Sequence, residues 1–181
     1  MTAIDTNVLV HYHREELPKH REALALVRAF AEGDTPWAVP VFSLGEFLRV
    51  VTHPRVFDPP TSVDDAVAAL AEVLKSPTAS ILGPGQRYWP LLQHVLTQSQ
   101  AVGNVVFDAQ LVALCIEHGV DTLVSEDRDF ARFEGVEAMS IASYSRLRST
   151  AADVRSSPQA PPEHVDNSDP PGSVHREPPA G

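Results

Sequence analysis

Apolar positions in this chain switch between short uninterrupted runs and stripes spaced three and four residues apart. Thr2-Ala3-Ile4 is a brief apolar start that stops at Asp5-Thr6-Asn7. Asp and Asn disfavour strands and favour helix caps, so this junction predicts a strand end and then a helix start. Pro18 opens a second helix, with Leu24, Leu26, Val27 and Phe30 as its stripe and Gly33 as its stop. Trp37 to Val41 predicts the next strand, in which Pro40 marks a sheet edge or a strand end. Ser43 and Glu46 have the S-x-x-E spacing of a capping box and predict a helix from Ser43 toward His53, stopped by Pro54.

A proline-containing loop follows from Val51 to Ser62. Asp64 to Lys75 then reads as an amphipathic helix with Val67, Leu70, Ala71 and Leu74 on its apolar face. Ala79 to Leu82 predicts a strand closed by Gly83-Pro84-Gly85, and Tyr88 to Thr97 a helix. Phe107 to Glu117 is apolar on nearly every side except at Asp108 and Gln110, the pattern of a buried helix, and Gly119 ends it. Thr122 to Ser125 and Val136 to Ile141 predict the last two strands. Strands alternating with helices indicate an α/β domain whose parallel sheet is covered on both faces.

Composition divides the chain in two. Residues 149–181 hold seven prolines, five acids, two arginines and none of Ile, Leu, Met, Phe, Trp, Tyr or Cys. Such a segment cannot bury enough apolar surface to offset the entropy of ordering it, which predicts a disordered tail after a single domain over residues 1–148. The domain carries 19 acids against 12 Lys and Arg, a formal charge of −7. That balance argues against holding nucleic acid on a broad basic face. A single cysteine, Cys115, excludes an internal disulfide framework and thiolate metal clusters, and inside an apolar run it reads as buried filler. With no signal-peptide pattern and no long apolar run, the expected location is the cytoplasm, away from membranes.

The topology gives four dispersed acids one address. Ligands of parallel sheets gather at the carboxyl ends of the strands. Asp5 and Asp127 each follow a predicted strand, Glu46 falls in the first turn of the helix after another, and Asp108 opens the buried helix. Carboxylates crowded into a cleft repel one another and favour a hard cation such as Mg2+ or Mn2+. One or two such ions can activate water and neutralise charge on a phosphodiester, so the residue set suits a nuclease. Each acid also has a plainer reading: Asp5 as a helix cap, Glu46 as half of a capping box, Asp108 as a partner of the helix dipole. Asp129 competes with Asp127 and reads as the cap of a short helix at Phe130. His94 and His118 read as structural histidines on or near apolar helical faces. His53 is equally a substrate contact or a loop-packing residue, and Arg49, Arg55 and Arg128 flank the expected cleft as surface arginines.

D-T-N after the first strand, the glutamate of S-L-G-E-F-L-R, then F-D-A-Q-L-V-A-L-C and S-E-D-R-D-F, in that order, resemble the PIN-domain ribonucleases. More narrowly the chain is similar to the VapC-type toxins of toxin–antitoxin pairs, a likeness that T-H-P-R-V-F reinforces and that covers about residues 1 to 145. The resemblance implies a PIN-like three-layer sandwich with a central, mainly parallel sheet. It implies that Asp5, Glu46, Asp108 and Asp127 hold one or two Mg2+ or Mn2+ ions, supported by Asn7 and Ser125, the latter standing where threonine is commoner. It further implies cleavage of single-stranded or looped RNA, silencing by a VapB-type antitoxin, and a homodimer.

Two other functions are open to an α/β domain of this kind. A haloacid dehalogenase-like phosphatase needs a second aspartate two residues after the first, where this chain has Asn7, and only Lys19 and Lys75 are available for its later lysine site. A PIN-like binding module without catalysis is the other reading, against which the chain keeps all four acids. No G-x-S-x-G elbow or phosphate-binding P-loop is present.

Overall fold

A computed structural model of the chain describes residues 1–156. Five short strands form one parallel sheet: β1 (Thr2–Ile4), β2 (Trp37–Pro40), β3 (Ala79–Leu82), β4 (Thr122–Val124) and β5 (Glu137–Met139). Their order is β3-β2-β1-β4-β5, with Ala3 level with Ala38 on one side and with Leu123 on the other. The chain winds outward from β1 in one direction and then, after β3, in the other. The crevice between β1 and β4 is therefore the topological switch point, where parallel sheets bind their ligands.

Side chains alternate across each strand, so the sheet has two cores. Ile4, Trp37, Val39 and Val124 pack with α1 (Thr6–His13), α2 (His20–Ala31), α3 (Val41–Val51), α4 (Val63–Leu74) and α7 (Ile141–Ser156). Ala3, Ala38, Leu82 and Leu123 face α5 (Tyr88–Ser99) and α6 (Val105–Glu117). Trp37 is wholly buried, stacked on Phe30 with ring centroids 5.3 Å apart. Cys115 is also wholly buried, and burial pushes its thiol up to about 12, as suits a residue that fills space. No helix among the described residues is long and apolar enough to cross a membrane.

The α/β class and the parallel sheet follow the sequence reading, and several boundaries differ from it. Pro40 ends an interior strand, and α3 begins directly after it at Val41 instead of at Ser43. Ser43 is thus inside the helix, buried with its hydroxyl unpartnered, and the expected capping box does not form. α2 begins at His20, two residues after Pro18, and α6 starts at Val105, one half-turn before Phe107. On α4 the buried face is Ala66, Leu70 and Val73, while Val67 and Ala71 are exposed. The expected stripe was a residue out of phase because Val67 and Ala71 share the same 3.6-residue period.

The largest departure is α7. Ile141 opens this helix instead of ending a strand, and the helix runs to Ser156, past the expected domain boundary at 148. Two side chains in its first turns, Ile141 and Tyr144, are buried, and the Tyr144 hydroxyl shares a 3.0 Å hydrogen bond with Thr2 Oγ1. Ser140 accepts the amide of Ser143 at the helix start. A helix docked by its first turns can extend without burying more, which composition alone does not register. The rest of the expected tail lies outside the described residues.

The stacked pair at the centre of the larger core makes a measurable demand. Trp37→Ala should cost about 3–5 kcal/mol of unfolding free energy, read as a lower urea midpoint at unchanged slope.

Candidate active site

Asp5 is the residue immediately after β1, and its amide still joins the sheet through Val124 O at 3.0 Å. It caps α1, with Oδ1 accepting the Thr6 amide at 2.6 Å. Its other oxygen, Oδ2, accepts Asn7 Nδ2 at 2.6 Å and the Ser125 hydroxyl at 2.8 Å. The capping reading and the site reading thus use different oxygens of one carboxylate. Ser125, just beyond β4, also accepts Asn7 Nδ2 at 2.8 Å and the Asp127 amide at 3.0 Å. One donated and two accepted bonds exhaust a hydroxyl. Asn7 Oδ1 takes the Glu126 amide at 3.0 Å, which closes a mesh across the β1–β4 crevice.

Glu46 reaches the same place from α3. Because that helix starts at Val41, Glu46 sits in its second turn, half-exposed, instead of in the first. Its Oε2 accepts the Thr6 hydroxyl at 3.0 Å and its Oε1 pairs with Arg49 at 3.2 Å. Asp108 is half-buried in the first turn of α6, and no hydrogen bond to its carboxylate occurs among the described residues. Asp127, not Asp129, caps the short 3-10 helix Arg128–Arg132, its Oδ1 accepting the Asp129 amide at 2.8 Å. The helix begins at Arg128, two residues earlier than expected, which moves the cap position back to Asp127. Asp129 instead pairs with Arg132 at 3.5 Å.

All four acids and Asp129 line one cleft of about 1090 Å3, together with Thr6, Asn7 and His11. Burial pushes the Asp5 carboxyl up from an ordinary 3.8 to about 6; the Ser125 and Thr6 bonds oppose the rise, and Glu46 and Asp108 add to it. Asp108 is likewise raised to about 6, by burial first and then by Asp127, Asp129 and Glu46. Among the described residues no three acid, histidine or cysteine side chains converge closely enough to enclose an ion alone. The donor set nonetheless fits a hard cation. It is carboxylate oxygen throughout, it carries more like charge than the Arg49 pair with Glu46 offsets, and Mg2+ commonly takes one or two carboxylates and keeps several waters.

Some features of the site were not anticipated. Thr6, the middle residue of D-T-N, links α1 to Glu46 and could have been suspected from that motif. Glu126 bonds Lys19 and accepts the Ile141 amide at 2.9 Å, tying the strand end to α7; nothing in the local pattern marked it. His118 meets Gly83 O at 2.8 Å as a structural histidine, whereas His94 is exposed because Leu92 and Val95 form the buried face of α5.

The PIN domain family matches residues 2–136. The chain is 41% identical over 133 residues to VapC ribonuclease Mb2897 of Mycobacterium bovis, covering 74% of this chain and 90% of that protein. It is 38% identical over 136 residues to ribonuclease VapC48 of Mycobacterium tuberculosis, covering 73% and 91%. Among solved structures, VapBC2 of Rickettsia felis bound to a promoter DNA fragment aligns with a TM-score of 0.58 at 15% identity, over 77% of this chain and 97% of that one. VapC20 of Mycobacterium tuberculosis, a toxin that cleaves the sarcin-ricin loop, aligns at 0.54 and 17%, over 72% and 93%. These two likenesses establish a shared fold.

The raised carboxyls fix the sign of a pH effect. Asp5 and Asp108 bind more protons in the folded chain than in the unfolded chain between about pH 4 and pH 6, so without divalent ions their contribution to stability falls as pH rises through that window and then levels off. Asp108→Asn keeps the shape and removes one charge from a group with no bond to lose. In chelator at pH 7 it should raise the melting temperature by a few degrees, roughly 1 kcal/mol once solvent screening is allowed for. An unchanged or lower melting temperature would contradict the electrostatic account.

Proposed function

The chain belongs to the PIN-domain family and to its VapC ribonucleases, and we propose that it is a metal-dependent endoribonuclease acting as the toxin of a VapBC-type pair. The observation that carries this reading is the convergence of Asp5, Glu46, Asp108 and Asp127 on one cleft at the switch point of the sheet. These four would hold one or two Mg2+ or Mn2+ ions directly or through water. Such an ion supplies a water of lowered pKa and neutralises charge growing on the phosphodiester.

The protein's own part is positioning. Asn7 and Ser125 fix the rotamer of Asp5 by holding Oδ2, and the Thr6 amide holds Oδ1. The Thr6 hydroxyl aims Glu46 at the same cleft while Arg49 holds its other oxygen. α6 carries Asp108 on a frame whose residues from Leu111 to Cys115 are all buried. A cytoplasmic location, a VapB-type antitoxin covering the cleft, and self-association into a homodimer complete the proposal.

Asp5→Asn and Asp108→Asn should each abolish measurable RNA cleavage in Mg2+ or Mn2+, and chelator should do the same to the wild type. Expression of the wild type, but not of Asp5→Asn, should arrest growth. Full metal-dependent cleavage by either variant would sink the catalytic assignment. Ser125→Ala, which removes support but no carboxylate, should lower the rate by about 10–100-fold.

A further inference from the structure

Two phenylalanines stand in the wall of the acid cleft with much of their surface in solvent. Phe107 is 67% exposed and Phe42 is 36% exposed, and both line the cleft that Asp5, Glu46, Asp108 and Asp127 share. Phe42 precedes Glu46 by four residues on α3, which places both on one face of that helix. Phe107 directly precedes Asp108 in the first turn of α6. Tyr88 of α5 stands behind Phe42, with ring centroids 6.1 Å apart and planes at 46°.

A lone exposed apolar side chain needs no explanation. Here the core has already been filled from other positions: α6 buries Ala109 and Leu111 to Cys115, and α3 buries Phe47 and Val51. The two rings left over open onto the same cleft as the acids, not onto unrelated patches. Electrostatics adds a second reason to give them a task. The domain carries a net −7, and the cleft's Arg49 is already paired with Glu46, as Arg132 is with Asp129. Phosphate contacts can therefore supply only part of the affinity for a polyanion. Stacking of bases on aromatic rings is independent of charge and contributes about 1–3 kcal/mol per base.

We propose that Phe42 and Phe107 are substrate-binding residues that stack unpaired bases flanking the scissile phosphate, with Tyr88 backing the Phe42 ring. The assignment rests on the nuclease reading above. Bases inside a duplex present no free face, so the two rings also discriminate against paired RNA.

The test uses the full chain and short single-stranded oligoribonucleotides of mixed sequence, each carrying one 2-aminopurine at a different position. Binding is followed in Ca2+ by the quenching that stacking causes, and cleavage is followed in Mg2+ or Mn2+. Quenching is expected at one or two adjacent positions. Phe107→Ala and Phe42→Ala should each weaken binding and raise KM by about ten- to a hundredfold with kcat little changed, and should abolish the quenching at one position. Phe107→Trp should restore both. Folded alanine variants that bind, quench and cleave like the wild type would overturn the assignment. So would variants that alter only the sedimentation state, which would make the rings a subunit contact. A wild type that quenches the probe but never cleaves it refutes the nuclease reading while supporting the stacking one. Cleavage at normal KM by both alanine variants, without quenching anywhere, does the reverse.

Discussion

Everything at this site depends on a single carboxylate buried at the end of the central strand. Asp5 is 6% exposed and its amide continues the β1–β4 ladder, so its side chain has no freedom to swing toward water. Three donors hold it, an arrangement that ordinarily pulls a carboxyl well below its usual range. Burial and the neighbouring acids outweigh them, and the group is pushed up to about 6 instead. The fold has to tolerate that cost, and it does so by linking the crevice together. Ser125 comes from the end of β4, Asn7 from α1, and Thr6 ties the cluster to Glu46 on α3. The second raised carboxyl, Asp108, faces the same charges from α6. An unrelieved surplus of negative charge in a concave site favours a divalent cation more than any single distance does.

The elements that could be read from sequence were those with both a periodic pattern and punctuation at their ends. β1, β3 and β4 stop at turn-forming residues; Asp5 and Asp127 are legible because each follows such a stop, and Asp108 because it opens a helix that is apolar on nearly every side. Glu46 was assigned to the right helix but the wrong turn. The capping-box spacing was a coincidence, and Pro40, with φ at −59°, lets the helix start with no intervening loop. Asp127 and Asp129 could not be separated, since their roles turn on a two-residue shift in where a 3-10 helix begins. α7 escaped because its hold on the core is two residues, Ile141 and Tyr144, followed by polar sequence. The exposed rings escaped for the opposite reason: Phe42 and Phe107 belong to apolar runs, and a run does not say which member is left in the cleft.

The acidic net charge and a polyanionic substrate are reconciled by distance. At physiological ionic strength exposed charges are screened over about 8 Å, so most of the surface acids have little influence on a phosphate held at the cleft. Of the five acids lining the cleft, four are those proposed to hold metal and the fifth, Asp129, is paired with Arg132, as Glu126 nearby is with Lys19. On the proposed reading such a site would attract RNA through bound ions and its exposed rings instead of through a basic track. Its affinity should accordingly depend on divalent cation more steeply than on monovalent salt.

The four acids divide into two mechanical classes. Asp5 is clamped at a strand end, and Asp108 rides on a helix whose next turns are buried from Leu111 to Cys115, so neither backbone can yield without disturbing the core. Glu46 is half-exposed on a long side chain, and Asp127 is exposed at the head of a five-residue 3-10 helix. Preorganised groups set where charge is stabilised, and the freer side chains of Glu46 and Asp127 would adjust to an ion and its waters if one were bound. Among the described residues no three acids enclose an ion by themselves, so an ion held here would take one or two carboxylates directly and keep several waters. The buried strand end thus supplies the reference frame of the cleft, and the two exposed acids are the part of it left free to adjust.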